Sequence, residues 1–169
     1  MKKSFQKQRG FSLVEMLVYI TVLVFMLVII IQVVVSLTKS DRIIKSLRNI
    51  ENSAVLGIER ISREMREAES INVGESILGT HPGKLVLQST DQSGNPRTVE
   101  FYLSSGQLIL KENAVVLGPL TGSDAEITGL IFNRFSGTNS EGVRVEMTIE
   151  SGTSTAYRTK KFYSTSIIR

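Results

Sequence analysis

Glu15 is the side chain with most to explain. It follows a Gly-Phe junction in Arg9-Gly10-Phe11-Ser12-Leu13-Val14-Glu15, and the next twenty-three residues, Met16 to Thr38, carry no formal charge. At 1.5 Å per residue, a helix of that length crosses a hydrocarbon core of about 30 Å. A carboxylate drawn into lipid costs roughly 2.5–3.5 kcal/mol at the centre of a span on insertion scales. Glu15 is therefore either solvated at the headgroup level or answered by a partner cation.

Other residue types with chemical potential form no convergent set. The chain has no cysteine, which removes disulfides, thiolate zinc sites and a cysteine nucleophile. His81 is the single histidine and sits in the turn Thr80-His81-Pro82-Gly83, where a surface loop role is expected rather than a base or ligand. Asp91-Gln92-Ser93-Gly94-Asn95 alternates oxygen-bearing side chains that suit a hard cation, but it lacks the distal bidentate glutamate of an EF-hand loop, so hairpin chemistry is the simpler reading. Asp124 and Glu126 give no better ligand set, and Gly10 and Gly57 form no phosphate-binding pattern. The expectation is a non-enzyme with no catalytic residues, no metal site and no cofactor.

The elements that must position Glu15 are a long helix and a β-rich remainder. Apolar residues recur at helical spacing through Ile43, Leu47, Ile50, Ala54, Ile58, Ile61, Met65 and Ala68, with no proline from Met1 to Ile77. One continuous helix of about sixty residues is predicted, its outer half laying an apolar stripe on the rest of the chain. Gly57 within it reads more readily as close packing than as a hinge. In Glu59-Arg60-Ile61-Ser62-Arg63-Glu64-Met65-Arg66-Glu67 opposite charges stand four apart, which reads as a solvated helix face.

Past Ile71, short β-rich runs alternate with Gly, Ser, Asn and Asp. Strands are predicted at Lys84–Ser89, Arg97–Ser104, Gln107–Glu112, Ile127–Phe135, Gly142–Glu150 and Ala156–Ile168, forming an antiparallel sheet. Ser104-Ser105-Gly106 predicts a tight hairpin, and Asp91 to Pro96 a longer turn. Val143, Val145, Met147 and Ile149 alternate along one strand and offer the face that seats the helix. The fold class is α+β: a long N-terminal helix, transmembrane in its first half, whose outer half packs on an antiparallel head with one modest core.

Charge is unevenly placed. Met1 to Gly10 holds Lys2, Lys3, Lys7 and Arg9 and no acid, which orients the N-terminus to the cytoplasm and the remainder outward. Without those ten residues, 16 of the 20 basic side chains remain against 16 acids, so the formal side-chain charge falls to zero. The sequence pI near 9.5 belongs to the leader and marks no nucleic-acid surface. A secretory signal peptide would have an apolar region of about 7–15 residues ending at a small-residue cleavage site, which this chain does not have.

The short basic leader ending in Gly10, then Phe11, then Glu15 at the fifth position of a long apolar helix, resembles the prepilin-type segment of type IV pilins and type II secretion pseudopilins. The resemblance implies cleavage between Gly10 and Phe11 by a prepilin peptidase and methylation of the new Phe11 amine. It also implies that Glu15 meets the Phe11 ammonium of a neighbouring subunit, so that two charges costly in lipid neutralise each other. The implied divisions are 1–10 leader, 11–38 transmembrane and filament-core helix, 39–70 outer half of the same helix, and 71–169 head. The run Ile58 to Ala68 and the strands after it look like minor pseudopilin J and related minor pilins, whereas retention of Glu15 departs from the tipmost pseudopilin K type.

Implied partners are the prepilin peptidase, other major and minor pilins or pseudopilins, an inner-membrane assembly platform, and membrane lipid before assembly. The implied location is the cytoplasmic membrane as a single-pass protein, then the pilus or pseudopilus. The competing expectations are an unprocessed, membrane-anchored extracytoplasmic binding domain, indifferent to replacement of Glu15, and a membrane-tethered enzyme, for which the sequence nominates no site.

Overall fold

A computed structural model describes residues 12–137 and 140–168, so Gly10 and Phe11 lie outside the described residues. The chain divides into two compact units, Met1–Ser40 and Asp41–Arg169. Helix α1 (Leu13–Glu67) belongs to both, consistent with a sequence free of proline until Pro82. In the first unit, every described residue of α1 is exposed, Leu13 to Leu37 included, and the helix is long and apolar enough to cross a membrane.

In the second unit α1 buries one stripe: Ser46, Ile50, Ser53, Ala54, Gly57, Ile61, Glu64 and Met65. This corrects the predicted stripe at its start. Leu47 remains 37 % exposed and Ser46 takes the inner position, because Gly152 lies so close that even a Cβ there would meet Ser46 Oγ. Gly57 is a point of close packing, as its Cβ would stand 3.1 Å from Leu108 Cδ2 and 3.5 Å from Met147 Cε.

The expected sheet is in fact two. A five-stranded antiparallel meander contains β1 (Ser70–Ile71), β2 (Lys84–Thr90), β3 (Pro96–Ser104), β4 (Gln107–Glu112) and β5 (Val115–Pro119) in that order. A three-stranded meander follows, formed by β6 (Glu126–Ser136), β7 (Glu141–Ser151) and β8 (Arg158–Ile167). Loops of the first meander bond to β6 where the two meet: Gly79 N donates to Phe132 O, Gly83 N to Leu130 O, and Ile127 N to Gly106 O, each at 2.8 Å.

Six strands lie within a residue or two of their predicted bounds. The last begins later than predicted, since Ser154–Ala156 form a 3-10 turn before β8. Two strands were not anticipated: β1 is two residues long, and β5 ends in Gly118-Pro119. The β3–β4 turn has Ser105 at φ 49° and Gly106 at φ 73°, the doubly left-handed pair that suits a two-residue hairpin.

Val143, Val145, Met147 and Ile149 are all buried, together with Leu85, Leu87, Phe101, Leu108, Leu130, Phe132 and the helix residues Ile50, Ile61 and Met65. They form one core between α1 and the sheets, as the alternation in β7 predicts.

Candidate functional site

The first candidate site is the start of α1. Met16 N donates to Ser12 O at 3.1 Å, which closes the first helical turn, and Glu15 stands in that turn, where the positive end of the helix dipole favours a carboxylate. Tyr19 is one turn further on. Its hydroxyl donates to Glu15 Oε1 at 3.1 Å. The hydroxyls of Thr21 and Thr38 donate instead to backbone carbonyls, Leu17 O at 2.8 Å and Val34 O at 3.0 Å, which hides their polarity within the helix. Of the three residues nominated by the sequence, Glu15 is thus placed on an exposed helix turn, while Gly10 and Phe11 fall outside the described residues.

The second unit contains a charged cluster that the sequence reading missed. The Arg97 guanidinium lies between two carboxylates. Nη1 and Nη2 donate to Glu64 Oε2 and Oε1 at 2.7 and 3.1 Å, while Nε and Nη2 donate to Glu112 Oε1 and Oε2 at 2.7 and 3.1 Å. Arg60 reaches Glu64 from one turn earlier, at 2.6 Å. Two forked contacts of this kind suit the planar guanidinium far better than they would a lysine.

Glu64 is only 3 % exposed, so the predicted solvated face is corrected here: Glu59 and Arg63 pair in solvent at 3.0 Å, but Glu64 turns inward between Ile61 and Met65. A signal was available, since Glu64 adjoins the apolar stripe and a buried acid requires a partner. Hydrogen bonds to Glu112 and then Glu64 raise the pKa of Arg97, and the Arg97 guanidinium in turn holds the Glu112 carboxyl below its ordinary value against the opposing effect of burial.

A shallow cleft of about 350 Å³ is lined by Ile77, Lys84, Glu100, Tyr102, Lys111 and Val116, among others. Its charges are spent on one another. Lys111 Nζ and Lys84 Nζ stand 2.8 and 3.1 Å from the two oxygens of Glu100. Burial pushes the Glu100 carboxyl up, but the hydrogen bonds from Lys111 and Lys84 outweigh it and hold the group below its ordinary value.

The Asp91 loop is occupied by its own turn. Asp91 accepts from Ser93 N at 2.8 Å, Asn95 N at 2.9 Å and Asn95 Nδ2 at 3.2 Å, and the Asn95 bonds lower its pKa most. His81 serves the fold: its Nδ1 accepts from Leu130 N at 3.0 Å and ties the loop before β2 to β6.

Comparison with known proteins gives one match. Residues 5–31 match the prokaryotic N-terminal methylation motif, the prepilin-type segment that opens type IV pilin-like and pseudopilin-like chains. The matched stretch contains the Gly-Phe junction, Glu15 and Tyr19. No curated protein and no solved structure matches the chain.

Proposed function

We propose that the chain is a minor pilin or pseudopilin, a structural subunit of a type IV pilus-like or type II secretion filament. The carrying observation is the methylation motif over residues 5–31, followed by a helix with the length and apolarity of a membrane span and by an α+β head.

In this reading a prepilin peptidase cuts between Gly10 and Phe11, and the new Phe11 amine is methylated. Before assembly, residues 11–38 lie in the cytoplasmic membrane, with the leader inside and residues 39–169 outside. Assembly moves the span from lipid into a core of neighbouring helices. Lipid tails are as apolar as leucine, so the drive comes from close packing and from pairing Glu15 of one subunit with the Phe11 ammonium of the next. The partners are other pilins or pseudopilins and an inner-membrane assembly platform, and the energy of assembly comes from another protein. The charge pattern of Ile58 to Ala68 favours a minor, J-like subunit, with initiation at the tip and a place along the filament as the two roles open to it.

Intact mass and terminal sequencing of protein recovered from native membranes test this directly. A start at Phe11, with or without one added methyl group, is expected, and Gly10→Ala blocks it. Glu15→Ala is expected to leave cleavage intact and to lower filament assembly. An intact Met1 in cells with active prepilin peptidase would leave an unprocessed membrane-anchored domain.

A further inference from the structure

Glu15 is the one acid on α1 before Asp41, and every described residue up to Ser40 is exposed, so among the described residues no other element of this unit shields it. The other ionisable groups among the described residues of the unit are Tyr19 and Lys39, and Lys39 lies about 36 Å away along the helix axis. The near donor is therefore the Tyr19 hydroxyl, 3.1 Å from Glu15 Oε1.

The spacing matters because residues four apart share a helix face, and helical side chains lean toward the N-terminus. Tyr19 thus reaches back over the turn that carries Glu15 and meets the carboxylate from its C-terminal side. A carboxylate has two oxygens and about four acceptor sites, so this bond leaves acceptor capacity free. In hydrocarbon, where no water competes, the contact also relieves part of the cost of an unsatisfied acceptor.

We propose that Tyr19 is a positioning residue for assembly: its hydroxyl holds the Glu15 carboxylate in one orientation while the subunit is a lone membrane helix, leaving the side toward the N-terminus open for the Phe11 ammonium of an incoming subunit. The proposal rests on the reading of Glu15 as the assembly acid. The Tyr19 bond persists in the filament as a second contact to the same carboxylate.

Tyr19→Phe keeps the ring and removes the donor. The full chain and its Tyr19→Phe variant, with carbon-13-labelled glutamate carboxylates, are compared in phosphatidylcholine vesicles by infrared spectroscopy, and Glu15→Gln identifies the Glu15 band. The expected result is a shift of that band in Tyr19→Phe, with cleavage after Gly10 unchanged. Incorporation into filaments at equal subunit level is expected to fall about threefold, as when one interhelical polar contact in a membrane, here that between Glu15 and the Phe11 ammonium, is weakened. A Glu15 band at the same position in both proteins overturns the proposal, as does wild-type incorporation of Tyr19→Phe when Glu15→Ala is defective. Wild-type filaments from Glu15→Ala would instead remove the reading on which the proposal rests.

Discussion

Glu15 and Glu64 lie on the same helix in opposite surroundings. Glu15 is exposed on a turn of apolar side chains, and a neutral hydroxyl from its own helix, that of Tyr19, donates to it. Glu64 is 3 % exposed, and two guanidiniums hold it, one from its own helix and one from β3. A buried acid whose cations come from the same chain is answered by folding. Glu15 meets no cation among the described residues, and in the proposed filament a neighbouring subunit supplies one, so the comparison sets an acid satisfied by folding beside one that we propose is satisfied by assembly.

That contrast can be broken at its most buried point. Arg97→Ala leaves Glu64 and Glu112 without their shared guanidinium, and breaking a buried pair from one side costs about 3 kcal/mol or more. Chemical unfolding of the full chain in detergent should show the loss, with Tm lower by about 10 °C. A loss below about 1 kcal/mol would mean that Arg60 alone satisfies Glu64 and that the cluster is less tightly coupled than its geometry implies.

A smaller effect comes from protons. Glu112 and Glu100 have folded pKa values held below the unfolded value of 4.5, so the stability they add is fully present above that pH and is lost as pH falls through their folded values. A Tm profile should therefore fall below pH 4.5, and Arg97→Met should flatten the share carried by Glu112. An identical acid limb in both proteins would assign that limb to other carboxylates.

The smallest effect is expected on the solvated side of the same helix. Glu59 and Arg63 are 62 % and 54 % exposed, and Glu59→Ala should change unfolding free energy by no more than about 0.5 kcal/mol. A cost approaching that of Arg97→Ala would show that position on the helix, rather than burial, sets the value of these charges.

The sequence made the helix, the β-rich head and the seat for the helix legible because each rests on local periodicity. Val143 to Ile149 alternate plainly, and all four apolar members are buried. β5 was not legible. Its turn has Asn113 at φ 46° and Ala114 at φ 68°, and an alanine in that conformation lacks the glycine that usually announces such a turn. Val115, Val116 and Leu117 then form an exposed free edge without alternation.

The two-sheet division also escaped, because strand spacing alone does not say where one meander stops. The Arg97 cluster joins residues 33 and 15 positions apart, and no local pattern encodes such a meeting. At the candidate site, the methylation motif over residues 5–31 was legible from residue type and order, whereas the Tyr19 contact required the helix geometry.

The two meanders have a kinetic consequence. Every ladder joins strands that are neighbours in the chain, so each can zip as a hairpin as soon as its second strand is available, on a scale of about 1–10 μs for an isolated hairpin. The first sheet is complete by Pro119, before Glu126 begins the second. Under the proposed topology, a head exported in order of synthesis can build its first sheet on the helix already delivered, with no strand waiting for a distant partner. The bonds that join Gly79, His81, Gly83 and Gly106 to β6, and those from β8 to Glu51 and Ser62 of the helix, await the later residues, so closure of the head is a late step.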